Sequence, residues 1–204
     1  MPDFFKSPVL YGLILAGGKS VRMGKDKAAL VYDGQTQLAR AWAALESFTP
    51  NIFVSCREEQ KLIVQNILTD VNFITDKKEF TGIGPLGGIL SAQSAFVHEA
   101  RLVLACDLPF VTEETLVFLI KNRDAQKAAT AYRSSYDGLP EPLCAIWEPR
   151  SFAMSQVFLK KGMQCPRKIL KNSDAHLLEP PNKHWLDNVN TPEEFKKAQE
   201  ELNR

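Results

Sequence analysis

The chain has 204 residues, 45% of them hydrophobic, which is long enough to bury one substantial core, so a single α/β domain is the default expectation. Lysine and arginine total 25 and aspartate and glutamate total 24, so the formal net charge is +1. This balance argues against a nucleic-acid coat or a membrane-surface protein, because both need broad basic surfaces. We therefore expect no nucleic-acid partner and no membrane partner.

The first apolar run, residues 9–16, predicts a buried strand and not a signal peptide. Asp3 precedes the run, and no convincing cleavage segment follows it. The other apolar runs are too short and too often interrupted by charge to span a membrane. Three of the four cysteines sit in apolar or strand-like runs, which favours reduced thiols over disulfides or zinc. We expect a soluble, cytoplasmic protein.

A glycine-rich, basic segment follows the first strand. The strand is expected at about Tyr11–Ala16, and Gly17-Gly18 end it. Four cations come next: Lys19, Arg22, Lys25 and Lys27. A glycine turn that leaves a strand exposes backbone N–H groups, which together with cations bind polyanions such as a nucleoside triphosphate. The spacing matches neither the Walker loop nor the dinucleotide fingerprint. An ordinary basic surface turn is the alternative.

Short apolar runs then alternate with helical patterns along the rest of the chain. In the first half of the chain we predict a helix at 37–48, a strand at 51–55, a helix at 58–68 and a strand at 72–75. A glycine-rich loop at 81–88 then leads into a helix that ends near 97, and a strand at 101–106 follows. In the second half we predict a helix beginning after Thr112, strands at 128–132 and 143–147 with a turn-rich connection at 136–142, and a last helix beginning at Thr191-Pro192. This alternation is typical of a mostly parallel, twisted sheet with helices on both faces. With no internal repeat or linker, we expect one domain over residues 1–204.

Two further segments carry candidate site residues. Asp107 ends the strand at 101–106, and Pro109 turns the chain out of the sheet, so the carboxylate should point into the crevice at the strand's carboxyl end. A carboxylate there is a hard oxygen ligand suited to Mg²⁺ on nucleotide phosphates, although a turn-forming aspartate is the alternative. The loop Gly84-Pro85-Leu86-Gly87-Gly88 would let backbone approach a ligand closely, or it is an ordinary connection. Asp76 either contacts the nucleoside or terminates its strand.

Taken in order, these segments resemble the MobA family of molybdenum cofactor guanylyltransferases. The motifs that carry the resemblance are Leu15-Ala16-Gly17-Gly18, Arg22-Met23-Gly24, Asp26-Lys27, Gly84-Pro85-Leu86-Gly87-Gly88, Cys106-Asp107-Leu108-Pro109, Glu141-Pro142-Leu143 and Asn188-Val189-Asn190-Thr191-Pro192-Glu193-Glu194. Any one of them is weak, but the ordered set covers nearly the whole chain. The resemblance implies a Rossmann-like nucleotidyltransferase fold, with a GTP-binding part at roughly 8–112 and an acceptor-binding part at roughly 113–204.

The resemblance also implies which residues bind GTP. Leu15, Ala16 and Gly17 would contact it through backbone. Lys27 would hold its phosphates, and Arg22 would assist. The Leu15-Ala16-Gly17-Gly18 loop resembles that of the guanylyl enzymes, whereas the cytidylyl enzymes of this group resemble one another in a Leu-Ala-Ala-Gly loop, so the resemblance favours GTP over CTP.

The remaining implied roles concern the nucleoside, the metal and the acceptor. Asp76 would contact the nucleoside side of GTP, and Asp107 would bind both the nucleotide and Mg²⁺. Asn188 and Asn190 would line the pterin side or help with the metal. The family often has an asparagine where Ser55 ends the strand that begins at Ile52, so a nucleotide contact at Ser55 stays an open question.

The activity implied is the transfer of GMP from GTP to the molybdenum-bound molybdopterin cofactor, with Arg22, Lys27 and Asp107 as catalytic residues and Mg²⁺ as cofactor. Proteins that insert molybdenum and the apo-molybdoenzymes that receive the product are the partner proteins that this activity implies. Two alternatives stay open: a related nucleotidyltransferase that uses CTP or a sugar-phosphate acceptor, and a non-catalytic carrier of the pterin cofactor.

Overall fold

The computed structural model describes residues 7–17 and 27–202, which form two sheets and the helices around them. The strands are β1 (Leu10–Leu15), β2 (Val31–Tyr32), β3 (Gln35–Thr36), β4 (Ile52–Ser55), β5 (Asn72–Ile74), β6 (Ala100–Ala105), β7 (Ala129–Arg133), β8 (Pro140–Trp147) and β9 (Ala175–Leu178). The α-helices are α1 (Gln37–Glu46), α2 (Lys61–Gln65), α3 (Pro85–Ala95), α4 (Glu113–Lys121), α5 (Arg150–Lys160), α6 (Pro166–Lys171) and α7 (Pro192–Leu202).

Seven strands form the main sheet, in the order β5-β4-β1-β6-β8-β7-β9. All of them run in one direction except β8, which is antiparallel to both of its neighbours. The predicted α/β fold with a mostly parallel sheet is confirmed. Each helix in the described ranges is too short or too polar to cross a bilayer.

The order of the strands creates a crevice between β1 and β6. From β1 the chain passes to β4 and β5 on one side and then returns to β6 on the other, with Leu15 paired to Ala105 at the carboxyl ends. Ligands in open α/β sheets bind outside the carboxyl ends of the strands at such a reversal. The fold therefore brings the residues after β1 and after β6 to one edge.

The centre of the sheet is apolar on both faces. Leu13 and Ile14 of β1 and Leu102 and Val103 of β6 have no exposed surface. Strands that helices cover on both sides need such continuous apolar runs, whereas half-exposed strands alternate. These two strands form a rigid base for the site at their carboxyl ends.

The predicted glycine-rich loop is wrong from Pro85 onward, because this stretch is the beginning of α3. Gly84 (φ 63°) is the N-cap residue and Pro85 occupies the first helical position, a combination that starts a helix well. Gly87 and Gly88 are buried within the helix. Their small size allows close packing, of Gly87 against Phe80 and Asp76 and of Gly88 against Ser55 and Leu15.

Two other predictions from the sequence need correction. The helix expected at 58–68 is a 3₁₀ turn, Glu58–Gln60, followed by the five residues of α2. β8 begins at Pro140, inside the segment expected to be a turn. β6 pairs only with the 144–147 part of β8, so the missing N–H groups of Pro140 and Pro142 leave that ladder intact.

The sequence did not predict the two strands of the β2–β3 hairpin, nor α5, α6 and β9. Asp33 and Gly34, both with positive φ, form the hairpin turn. β2 and β3 are two residues long, which is too short for a periodic pattern to show in the sequence.

Candidate active site

Three side chains from distant parts of the chain meet at the edge of the crevice. Lys27 Nζ donates to Oδ2 of Asp107 at 3.1 Å and to Oδ1 of Asn190 at 2.6 Å. Lys27 opens the 3₁₀ turn that precedes β2, Asp107 follows β6, and Asn190 precedes α7. The side chains of Lys27 and Asp107 are 23% and 26% exposed, so the ion pair is shielded yet accessible to a ligand.

The segment before α7 is attached directly to the turn after β6. The backbone N–H of Val189 donates to the carbonyl oxygen of Asp107 at 3.0 Å. Asn188, one residue earlier, is exposed and lines a cavity of about 350 Å³ together with Asp107. The structure thus brings Lys27, Asp107, Asn188 and Asn190 to one place.

A capping box at the start of α7 holds the backbone of Asn190. The Glu194 carboxylate accepts hydrogen bonds from the N–H groups of Asn190 (2.7 Å) and Thr191 (3.1 Å), and the Thr191 hydroxyl accepts one from the N–H of Glu194 (3.2 Å). Such reciprocal bonds satisfy N–H groups that a helix leaves without partners. The start of α7 therefore determines where the Asn190 side chain lies.

The β2–β3 hairpin packs against α7 through a small apolar cluster beside the site, which includes Tyr32, Val189 and Ala198. The rings of Tyr32 and Phe195 meet edge to face with centroids 5.0 Å apart, and Gln199 of α7 donates to the carbonyl of Val31 at 3.1 Å. Burial raises the pKa of Tyr32 to about 12; the charge of Asp107 also raises it, against the opposing effect of Arg40. Tyr32 consequently stays a neutral phenol beside Asp107 at physiological pH.

The residues after β1 are tied to the neighbouring strands. The N–H groups of Ala16 and Gly17 both donate to the carbonyl of Ser55, at 2.9 and 3.1 Å, and the carbonyl of Leu15 accepts from the N–H of Cys106 at 3.1 Å. These backbone groups are therefore engaged within the sheet edge. Gly17 is exposed, so it is the member of this set that a ligand can reach.

Asp76 lies against the beginning of α3. A Cβ atom placed on Gly87 would be 2.8 Å from Oδ2 of Asp76 and 2.5 Å from the carbonyl oxygen of Phe80. Desolvation by these surroundings raises the pKa of the Asp76 carboxyl above its ordinary value. Within the described residues, Asp76 makes no hydrogen bond to the group around Lys27 and forms a separate polar position on the β5 side.

Arg22, which was expected to assist Lys27, lies outside the described residues, as does the rest of the segment 18–26. The structure therefore does not test that expectation.

Sequence reasoning overlooked several polar residues around the cavity. Arg167 of α6 donates to Oδ2 of Asp137 at 3.2 Å and to Oε2 of Glu141 at 2.7 Å, and all three line the cavity. Arg40 of α1, which does not line the cavity, donates to the carbonyl of Pro109 at 3.4 Å. Glu141 belongs to the motif Glu141-Pro142-Leu143, but no spacing pattern in the sequence connects it to Arg167.

The donor atoms near Asp107 suit a magnesium ion that is held mostly by substrate. Mg²⁺ in nucleotide enzymes is typically bound by one or two carboxylates plus phosphate oxygens and water. Among the described residues no group of three His, Cys, Asp or Glu side chains could form a complete metal cage. Asp107 supplies one carboxylate, with amide oxygens nearby, which fits the first arrangement.

Comparisons with known proteins identify the family of the chain. The model of a family described as the MobA-like NTP transferase domain matches residues 12–177. A molybdenum cofactor biosynthesis bifunctional protein of Synechocystis sp. is 34% identical over 195 residues, which are 95% of this chain. The chain spans 54% of that protein, about half its length. A probable molybdenum cofactor guanylyltransferase of Bacillus mycoides is 29% identical over 199 residues, covering 94% of this chain and 96% of that one.

A solved structure shares the fold. The molybdopterin-guanine dinucleotide biosynthesis protein A of Archaeoglobus fulgidus superposes with a TM-score of 0.75 at 24% identity, over 95% of this chain and 98% of that one. The family match covers more than half of the chain, and the resemblance noted in the sequence is confirmed. This chain belongs to the family of MobA-like NTP transferase domains.

Proposed function

We propose that the chain transfers GMP from GTP to the molybdenum-bound molybdopterin cofactor, forming molybdopterin guanine dinucleotide and pyrophosphate. The observation that carries the proposal is the contact of Lys27 with both Asp107 and Asn190 at the carboxyl ends of β1 and β6. The names of the relatives from Bacillus and Archaeoglobus support guanine and molybdopterin as the two halves of the product.

The reaction is an in-line displacement at phosphorus. An oxygen of the acceptor's terminal phosphate forms a bond to the α-phosphorus of GTP. The bond from that phosphorus to the oxygen bridging to the β-phosphate breaks, and pyrophosphate leaves with the electron pair. The attacking phosphate is already an anion at neutral pH, so no strong general base is needed. Catalysis then depends on positioning and on neutralisation of charge.

Lys27 is suited to the phosphates because its ammonium group has three N–H donors, two of which are used by Asp107 and Asn190. The third is available to a phosphate oxygen, and the two protein bonds hold the ammonium in place. We propose that Arg22 supplies a second positive charge, which would help to neutralise the negative charge of the departing pyrophosphate.

Enzymes of this kind typically use a divalent metal, and Asp107 is the residue that we propose to hold Mg²⁺. The ion would supply positive charge to the phosphates when bound. Asp76 and the exposed Gly17 are assigned to the nucleoside side, with Leu15 and Ala16 supporting Gly17. Asn188 and Asn190 are assigned to the acceptor side.

We also propose that the protein is located in the cytoplasm, because its substrate GTP is present there. Apo-molybdoenzymes would receive the product, and molybdenum-insertion proteins would supply the acceptor.

Pyrophosphate release tests the proposal. The purified chain is supplied with Mg²⁺, molybdopterin cofactor and either GTP, CTP or ATP, and GTP should give the fastest release. Lys27→Ala and Asp107→Ala should each lower kcat by about 10²-fold or more, because charge-stabilising contacts of this kind contribute several kcal/mol at the transition state.

Lys127→Ala is the matched control, since it breaks an exposed ion pair with Asp174 (2.8 Å) away from the crevice and should leave turnover normal. Thermal unfolding shows that each variant is folded. Near-normal turnover of Lys27→Ala or Asp107→Ala, a preference for CTP, or pterin binding without any turnover would each contradict the proposal.

A further inference from the structure

The cavity beside Asp107 contains a second polar group that the proposed chemistry does not use. Arg167 in the first turn of α6 donates to Oε2 of Glu141, near the start of β8, and to Oδ2 of Asp137, in the connection between β7 and β8. All three residues line the same cavity as Asp107. One guanidinium thus orients two carboxylates in a space of about 350 Å³, a size suited to a small ring system.

The two carboxylates differ in how many of their oxygens the protein occupies. Oδ1 of Asp137 accepts from the N–H of Leu139 at 3.0 Å, so both of its oxygens are engaged. Glu141 is engaged through Oε2 alone, and within the described residues no donor contacts its Oε1. The Glu141 side chain is 19% exposed. It is therefore a shielded carboxylate, held in orientation by Arg167, with one oxygen left for a ligand that donates a hydrogen bond.

The charges of the cavity indicate whether the phosphate end or the ring end of the acceptor binds beside Glu141. Asp107, Asp137 and Glu141 are acidic, and Arg167 is the one basic residue of the described lining. Anionic phosphates are repelled by Glu141 and Asp137 but are attracted by Lys27 at the Asp107 end. Leu108, Pro142 and Leu186 supply apolar surface for a flat ring. The phosphate of an acceptor therefore belongs beside Lys27, and its neutral, donor-bearing ring beside Glu141.

We propose that Glu141 is a specificity-determining residue that recognises a 2-amino-4-oxo pyrimidine ring by accepting a hydrogen bond from the 2-amino group on Oε1. Arg167 is a positioning residue that acts through Glu141. The inference rests on the proposed function, because the pterin of the acceptor carries such a ring.

Two ring probes separate this recognition from the transfer reaction. Binding of 6-hydroxymethylpterin to the full chain is compared with binding of 6-hydroxymethyllumazine, in which an oxygen replaces the 2-amino group, by the fluorescence of the probes. A hydrogen bond to a charged acceptor should make the pterin bind on the order of tenfold to a hundredfold more tightly than the lumazine.

Glu141→Gln should reverse this preference. Arg167 needs an acceptor, so the amide oxygen turns to the guanidinium and the amide NH₂ faces the ring. The 2-oxo group of the lumazine can accept from that NH₂, whereas the 2-amino group of the pterin cannot. Arg167→Gln should reduce the pterin preference with Glu141 still present, because the carboxylate is no longer held.

Asp137→Asn is the matched control. This variant removes the negative charge of the other carboxylate that contacts Arg167. It should keep the preference for pterin, since Glu141 stays bound to Arg167. Binding of GTP, measured in the same samples, should be unchanged in all three variants and shows that they are folded.

Equal binding of the two probes to the unaltered chain would overturn the inference, as would a pterin preference that survives Glu141→Gln. Either result leaves the guanylyl transfer itself untouched. Conversely, loss of the pterin preference in Glu141→Gln would uphold the inference even if pyrophosphate release identified another nucleotide.

Discussion

Gly88 lies where α3 passes over the carboxyl ends of β1 and β4. A Cβ atom at this position would overlap Oγ of Ser55 and would lie 3.0 Å from the Cβ of Ser55 and 3.1 Å from Cδ2 of Leu15. Leu15 ends β1, which borders the crevice, and Ser55 ends β4, which pairs with β1. The absence of a side chain at residue 88 thus allows the helix to approach the base of the site.

We expect Gly88→Ala to destabilise the protein and to lower activity. Alanine gains about 1 kcal/mol over glycine within a helix, but overpacking against strand atoms costs roughly 1–3 kcal/mol. The overlap is with Ser55 of a buried strand, so the cost should exceed the gain. Urea unfolding measures the difference.

Adding Ser55→Ala to Gly88→Ala should restore part of the lost stability, because the nearest atom is removed. Ser94→Ala, at a half-buried position of the same helix, is the control and should change stability little. Additive effects of the Gly88 and Ser55 substitutions would contradict the packing argument.

At the scale of elements, α7 contributes its start to the site. Its capping box fixes Asn190, and its apolar face packs on the β2–β3 hairpin through Phe195. A helix that was recognisable in the sequence by its cap therefore also places a side chain that contacts Lys27.

We expect Glu194→Ala to lower stability by about 1 kcal/mol, the usual effect of losing a cap, and to lower kcat/KM by between tenfold and about a hundredfold because Asn190 is less well positioned. Glu194→Gln keeps an acceptor and should retain most of the activity. Glu193→Ala removes an acidic side chain from the same turn without touching the capping box, so it controls for the helix dipole. Activity of Glu194→Ala equal to that of Glu193→Ala would refute this role.

On the scale of the whole molecule, a buried network joins the early and late parts of the chain. Arg123 makes a bidentate ion pair with Glu148, at 2.6 and 2.9 Å, and the two side chains are 11% and 1% exposed. Gln93 of α3 donates to the carbonyl of Glu148 at 3.2 Å and to Ser151 of α5 at 2.7 Å. We propose that the parts at 8–112 and 113–204 unfold as one unit, since one sheet runs through both.

We expect Arg123→Met to cost about 3–5 kcal/mol, because it leaves the Glu148 charge buried without its partner. The melting temperature should fall by about 10 °C in a single transition, given the usual shift per kcal/mol for a chain of this size. Lys127→Ala breaks an exposed pair and should hardly change the melting temperature. Hydrogen exchange that gives a different free energy of unfolding for each of the two parts would contradict the proposal that they unfold as one unit.

Much of the fold was predictable because its signals are local. Apolar runs indicated β1, β4, β5 and β6 to within a residue or two, and Thr112 and Thr191 marked the starts of α4 and α7. The beginning of α3 was not predictable as a helix, since glycines at residues 84, 87 and 88 favour a loop on local grounds. Only contact with Asp76, Phe80 and Ser55 shows why glycine is needed there.

The sequence by itself determined the order of most strands and helices, the family and many of the residues worth testing, because periodicity, caps and ordered motifs are read along the chain. Tertiary structure decided which residues lie in contact. Lys27 is 80 positions from Asp107 and 163 from Asn190, and Arg167 is 26 from Glu141. No local pattern spans such separations. These contacts form because the strand order and the packing of α6 and α7 bring these residues to the same edge of the sheet, at the carboxyl ends of its parallel strands.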